Sequence, residues 1–142
     1  MKIMVAYDGT LQAKEALVYG MDKAREQGGE VVALHVFNSG MFVDYDVMDA
    51  EATARRESGR IVEEAKTLLR EKGNGVRTSF FTIDGDPADE VVAFAKEKRV
   101  DVLLCPPRFR KIISGYEKAL QAHDLAGDAA GRNLAALAVK TM

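Results

Sequence analysis

The chain has no tryptophan, three prolines and a single cysteine in 142 residues. One thiol, Cys105, excludes an intrachain disulfide and a cysteine-rich zinc site, and it suits a reducing cytosol. Excess charge of one sign is also lacking. The 20 basic and 22 acidic residues leave a net charge of -2, so no global positive field exists to hold nucleic acid or an anionic membrane. Long hydrophobic runs are absent as well: the N-terminal run is interrupted at Asp8, too early for a signal-peptide core, and no stretch approaches a membrane span. Together these absences predict a cytoplasmic protein with neither nucleic-acid nor membrane partners. What is present is apolar surface: 47% hydrophobic residues supply one shared core, so residues 1–142 are expected to form one domain.

Along the chain, short apolar runs alternate with helical patterns. Ile3 to Tyr7 is a strand ended by Asp8-Gly9, after which Thr10 caps a helix whose inward face carries Ala13, Ala16, Leu17, Gly20, Met21 and Ala24. Gly28-Gly29 stops it. Val31 to Phe37, apolar except for His35, has the pattern of a strand covered on both faces. From about Asp44 to Lys72 the periodicity is helical, with Asp44, Asp46 and Asp49 at the positive end of the dipole. Met41, Phe42, Val43 and Tyr45 before it read as packing over that helix entrance, or alternatively as a lid. Val76 to Ile83 is a more polar strand, placed at a sheet edge. Asp86 as cap, Pro87 at the first helical position and Asp89-Glu90 in the first turn then start a helix running to about Lys98. Asp101 to Cys105 is the fourth strand, Gly115 to Ala126 a helix, and Leu134 to Val139 a fifth strand. Such alternation predicts a mainly parallel sheet with helices on both faces and a ligand crevice beyond the carboxyl ends of the strands, where strand order reverses.

Four segments resemble the universal stress protein family: Ile3-Met4-Val5-Ala6-Tyr7-Asp8-Gly9-Thr10, Val32-Ala33-Leu34-His35-Val36, Gly85-Asp86-Pro87-Ala88-Asp89-Glu90-Val91, and Val100-Asp101-Val102-Leu103-Leu104. The resemblance extends to Cys105. It implies an α/β three-layer doubly wound sandwich with a five-stranded mainly parallel sheet in the order 3-2-1-4-5. It also implies an adenine-nucleotide crevice reached by Ala6, Tyr7 and Asp8 at the end of strand one and by Val36 in strand two. Family members often dimerise through the fifth strand, so a homodimer through Leu134 to Val139 is expected.

In nucleotide-binding members strand four is followed by Gly-x-x-Gly and, later, Gly with Ser or Thr. Here Pro106 stands at the first glycine and Phe109 at the second, while strict spacing puts Ala119 and Leu120 at the last pair. A shorter-loop alignment leaves only Ser114 near the hydroxyl position. Proline has no backbone donor and phenylalanine fills space a phosphate would need, so the family's ATP-binding mode is expected to be lost and no cofactor is required. Arg108, Arg110 and Lys111 nevertheless concentrate positive charge beside the crevice, and arginine can hold a phosphate or carboxylate without glycines. ATP or AMP on a rebuilt site is therefore the alternative.

Other clusters have simpler readings. Asp8 is either a ligand contact or a turn aspartate, and Val36 either borders a ligand or fills the core. His35, His123 and Cys105 lie on different elements without metal-ligand spacing, so no metal is assigned; His35 is expected to satisfy its ring within the fold. Three functional classes follow. The leading one is a small regulatory or stress-response binding protein of the universal stress type. The second is a nucleotide-transferring or nucleotide-hydrolysing enzyme, for which no nucleophile or acid-base constellation is present. The third is an interaction module with its pocket plugged by Phe109.

Overall fold

In the computed structural model, which describes residues 1–38 and 48–140, helices pack on both faces of one six-stranded sheet. Chain order is β1 (Lys2–Ala6), α1 (Leu11–Gln27), β2 (Glu30–Phe37), α2 (Met48–Lys72), β3 (Arg77–Asp84), α3 (Pro87–Glu97), β4 (Val102–Cys105), α4 (Pro107–Ile112), a 3-10 turn (Ser114–Tyr116), β5 (Leu120–Ala122), α5 (Ala126–Ala130) and β6 (Ala135–Val139). The strands lie in the order β3-β2-β1-β4-β6-β5. The first four are parallel, as the alternation predicts, with β3 at an edge.

The caps form as the sequence dictates. Thr10 Oγ1 accepts from Ala13 N at 3.2 Å, Gly28 ends α1 at φ 68° with its N–H on Ala24 O, and Asp86 accepts from Asp89 N ahead of Pro87. Two apolar layers result. Ile3, Val5, Tyr7, Val102 and Leu104 pack against α1, α2 and α5, while Met4, Ala6, Val32, Leu34, Leu103 and Cys105 pack against α3 and α4. This partition follows from the two-residue period of a strand buried on both faces.

Three expectations change in the C-terminal third. The sheet has six strands, not five, and the last two run antiparallel to their neighbours. Gly115 to Ala126 is not a helix; it holds the end of the 3-10 turn, β5 and the approach to α5. The strand at Leu134 to Val139 is not an edge, because β6 hydrogen-bonds to β4 on one side and β5 on the other. The cluster Met41, Phe42, Val43 and Tyr45, with the acidic residues Asp44 and Asp46, lies outside the described residues.

Candidate functional site

Strand order reverses between β1 and β4, so the chain leaving β1 turns away from the chain leaving β4 and a crevice opens at their carboxyl ends. Asp8 and Arg108 meet across it. Arg108 Nε lies 3.3 Å from Asp8 Oδ2, with the arginine side chain 64% exposed and the carboxylate 8% exposed. The other oxygen, Oδ1, accepts from Thr10 N at 3.1 Å and Thr10 Oγ1 at 2.6 Å. Asp8 is thus both the turn aspartate that organises the start of α1 and a carboxylate facing the crevice. Its Oδ2 makes an ion pair with Arg108 yet no hydrogen bond of good geometry. At 3.3 Å the guanidinium is within ion-pair distance but outside hydrogen-bond alignment, so it acts on this oxygen as a charge.

Beside this pair, a cleft of about 590 Å3 separates the start of α3 from α4, lined by Asp86, Pro87, Ala88, Pro107, Arg108, Lys111 and Ile112. Its cations come from one side of α4, since Arg108 and Lys111 are three residues apart on a helix. Arg110 is directed elsewhere: with Ser114, Tyr116, Glu117, Leu120 and Leu137 it borders a smaller hollow of about 210 Å3. Ser114 Oγ donates to Lys111 O at 2.8 Å and finishes α4. The basic cluster is therefore divided. The sequence marks its charge but not its division, because the division depends on α4 being helical from Pro107.

The segment after β4 is a helix start and not a cradle. Pro106 and Pro107 carry no N–H, and Phe109 N is taken by Pro106 O at 3.0 Å. Phe109 is 4% exposed and packs in the apolar layer with Val91, Phe94 and Cys105. It is a core residue and does not project into the crevice as a plug.

The remaining candidates are mostly structural in position. Ala6 is fully buried under α3 and α4, and Val36 is half-buried against the same layer. Tyr7 points to the opposite face, toward α1 and α2, 1% exposed. Burial, followed by the charges of Glu64 and Asp8, pushes its pKa up to about 12, so it stays a protonated donor well into the alkaline range. His35 satisfies its ring as expected. Nδ1 lies 3.0 Å from Tyr7 O and Nε2 2.7 Å from Ser58 Oγ. A carbonyl only accepts, so Nδ1 carries a proton and donates to Tyr7 O, while Nε2 pairs with the Ser58 hydroxyl. That bridge ties β1, β2 and α2 together just below the crevice.

Sequence reasoning missed the contribution of Asp86 to Ala88 to the cleft wall. The Gly85-Asp86-Pro87 signal identified a helix cap; only the neighbouring position of α4 makes it also a wall. Among the described residues no group of three or more His, Cys, Asp or Glu is placed to hold a metal ion, and no helix is long and apolar enough to cross a membrane.

Comparison with known proteins agrees with this architecture. Universal stress protein YxiE of Bacillus subtilis is 28% identical over 118 residues, covering 75% of this chain and 78% of that one. A universal stress family protein from Burkholderia pseudomallei superposes with a TM-score of 0.62 at 19% identity, covering 82% of this chain and 89% of the other. The universal stress protein from Archaeoglobus fulgidus, solved in complex with dAMP, gives a TM-score of 0.58 at 22% identity over 80% of this chain and 86% of that one. Residues 1–116 match the universal stress protein family over most of the chain, from β1 through the 3-10 turn, and the chain belongs to that family.

Proposed function

We propose that this chain is a regulatory or stress-response binding protein of the universal stress type that does not hold ATP through the glycine-loop mode of its family. One observation carries the reading: β4 passes through Pro106 straight into α4, with Phe109 built into the core. A phosphate cradle needs free backbone N–H groups and close backbone approach. Here two of the first four residues have no N–H, a third uses its own within the turn, and the Phe109 side chain fixes the helix against β4. The Asp8–Arg108 pair further neutralises the carboxylate that would meet a ribose or amine.

The A. fulgidus relative was solved with dAMP, so adenine nucleotides are the appropriate probes. Isothermal titration with Mg-ATP is expected to show no micromolar binding, and a micromolar dissociation constant would sink the reading. A second reading is supported by the position of Arg108 and Lys111 on one cleft wall: a rebuilt anion site that takes AMP without the cradle. It predicts AMP binding that Arg108→Ala weakens about tenfold, in line with loss of a charge-assisted hydrogen bond. Binding unchanged in that variant excludes this alternative.

A further inference from the structure

On the α1 and α2 side of the sheet, away from the Arg108 cleft, a groove of about 460 Å3 lies between the two helices with Tyr7 as part of its wall. Three buried side-chain polar atoms among the described residues have no hydrogen-bond partner, and two of them, Tyr7 OH and Glu64 Oε2, belong to residues lining this groove. Lys14 Nζ lies 3.4 Å from that Glu64 oxygen, close enough for an ion pair but outside hydrogen-bond geometry. The Tyr7 phenol is therefore a donor without an acceptor, and Glu64 Oε2 an acceptor without a hydrogen-bond donor, although the other oxygen of that carboxylate accepts from Arg60. Leaving a buried hydroxyl such as that of Tyr7 unpaired costs about 1–3 kcal/mol, so a molecule that satisfies it and reaches Glu64 Oε2 has a specific reason to bind.

The surrounding chemistry narrows what that molecule is. Lys14 and Arg60 are positive, whereas Glu63, Glu64 and Glu71 are negative, so an anion meets three carboxylates and a cation meets two basic groups. Arg60 is already held by Glu57 and Glu64. Glu63 has no such partner among the described residues and is exposed. Thr67 adds a hydroxyl, and Leu68 offers one apolar surface. Donors and acceptors interleaved around a small apolar patch match a group that donates and accepts at once, which is a hydroxyl. The volume lies within the ordinary range of about 300–1,000 Å3 for small-ligand sites.

We propose that this groove binds a neutral polyhydroxylated small molecule, a polyol or monosaccharide, with one hydroxyl accepting from Tyr7 and donating to Glu64. This site is independent of the crevice between Asp8 and Arg108. Like any phenol, Tyr7 is a protonated donor throughout the neutral range, and its raised pKa only extends that state to more alkaline pH.

The test is saturation-transfer NMR and titration with myo-inositol and glucose, alongside spermidine and inorganic phosphate as charged probes. Both neutral probes are expected to bind and the charged ones not. Tyr7→Phe is expected to raise the dissociation constant about tenfold, the loss of one hydrogen bond, while its ligand-free melting temperature stays at or above that of the parent. Glu63→Ala, on an exposed side chain, is expected to weaken binding about threefold by the same reasoning. Arg108→Ala leaves polyol binding unchanged. The proposal is overturned by absence of transfer from both polyols, which would leave the groove to water, by preferential binding of a charged probe, or by unchanged affinity in Tyr7→Phe or Glu63→Ala.

Discussion

Two buried tyrosines show how single residues set the alkaline limit of this protein. Tyr7 and Tyr19 both have pKa values raised from 10.0 to about 12, in each case chiefly by burial. For Tyr7 the charges of Glu64 and Asp8 add to this; for Tyr19 the addition is its hydrogen bond to Asp128 Oδ2 at 2.7 Å. The sign of the linkage is fixed by the direction of the shift. The folded state keeps protons that the unfolded chain releases near pH 10, so this contribution is complete below pH 10 and is lost as pH rises toward 12. An absorbance titration is expected to show at least two of the four tyrosines ionising near pH 12, with unfolding free energy falling over the same interval. Four tyrosines titrating together near pH 10 while the protein stays folded would contradict it. Asp8 was legible as a turn residue because Asp-Gly-Thr names its own geometry. Its partner Arg108 was legible only as charge near the same crevice, since a contact spanning a hundred residues has no local signature.

The element that decides the family comparison is α4, and its stability rests on one side chain. Six residues make a helix too short to persist by itself, so Phe109 seated against Val91, Phe94 and Cys105 must hold it in place. Phe109→Ala is expected to cost about 3–5 kcal/mol, the range for emptying a buried aromatic site, and to lower the melting temperature by many degrees. A loss below about 1 kcal/mol, measured by urea unfolding, would mean the residue is a removable plug after all. Elements with local punctuation were readable: Thr10 and Gly28 bracket α1, and Asp86-Pro87 opens α3. The stretch from Gly115 to Ala126 was not. Glu117, Lys118, Ala119, Leu120 and Gln121 all favour helix, and β5 contains no β-branched residue. Its strand conformation comes from pairing with β6, where Leu120 meets Val139 and Ala122 meets Leu137. Tertiary pairing overrides local preference there, and a periodicity argument has no access to it.

At the scale of the whole molecule, the same pairing determines which surfaces are open to association. A dimer through β6 requires a free row of N–H and C=O groups, but β6 is paired on both sides: Leu137 lies opposite Leu103 of β4 and Val139 N donates to Asp101 O, while Val139 lies opposite Leu120 of β5 and Ala136 O accepts from His123 N. The edges are β3, eight residues long, and β5, only three. Lys140 N also bonds to Ala119 O at 2.9 Å, extending the closure of β6 beyond the strand itself. A second copy would therefore have to displace β5 before reaching β6, losing internal bonds to make equivalent external ones. Hydrogen exchange separates the two arrangements directly. Amides of residues 135–139 are expected to be protected to the same degree at nanomolar and high micromolar protein, because their partners belong to the same chain. Protection that rises with concentration would show that β5 gives way and that β6 pairs between subunits.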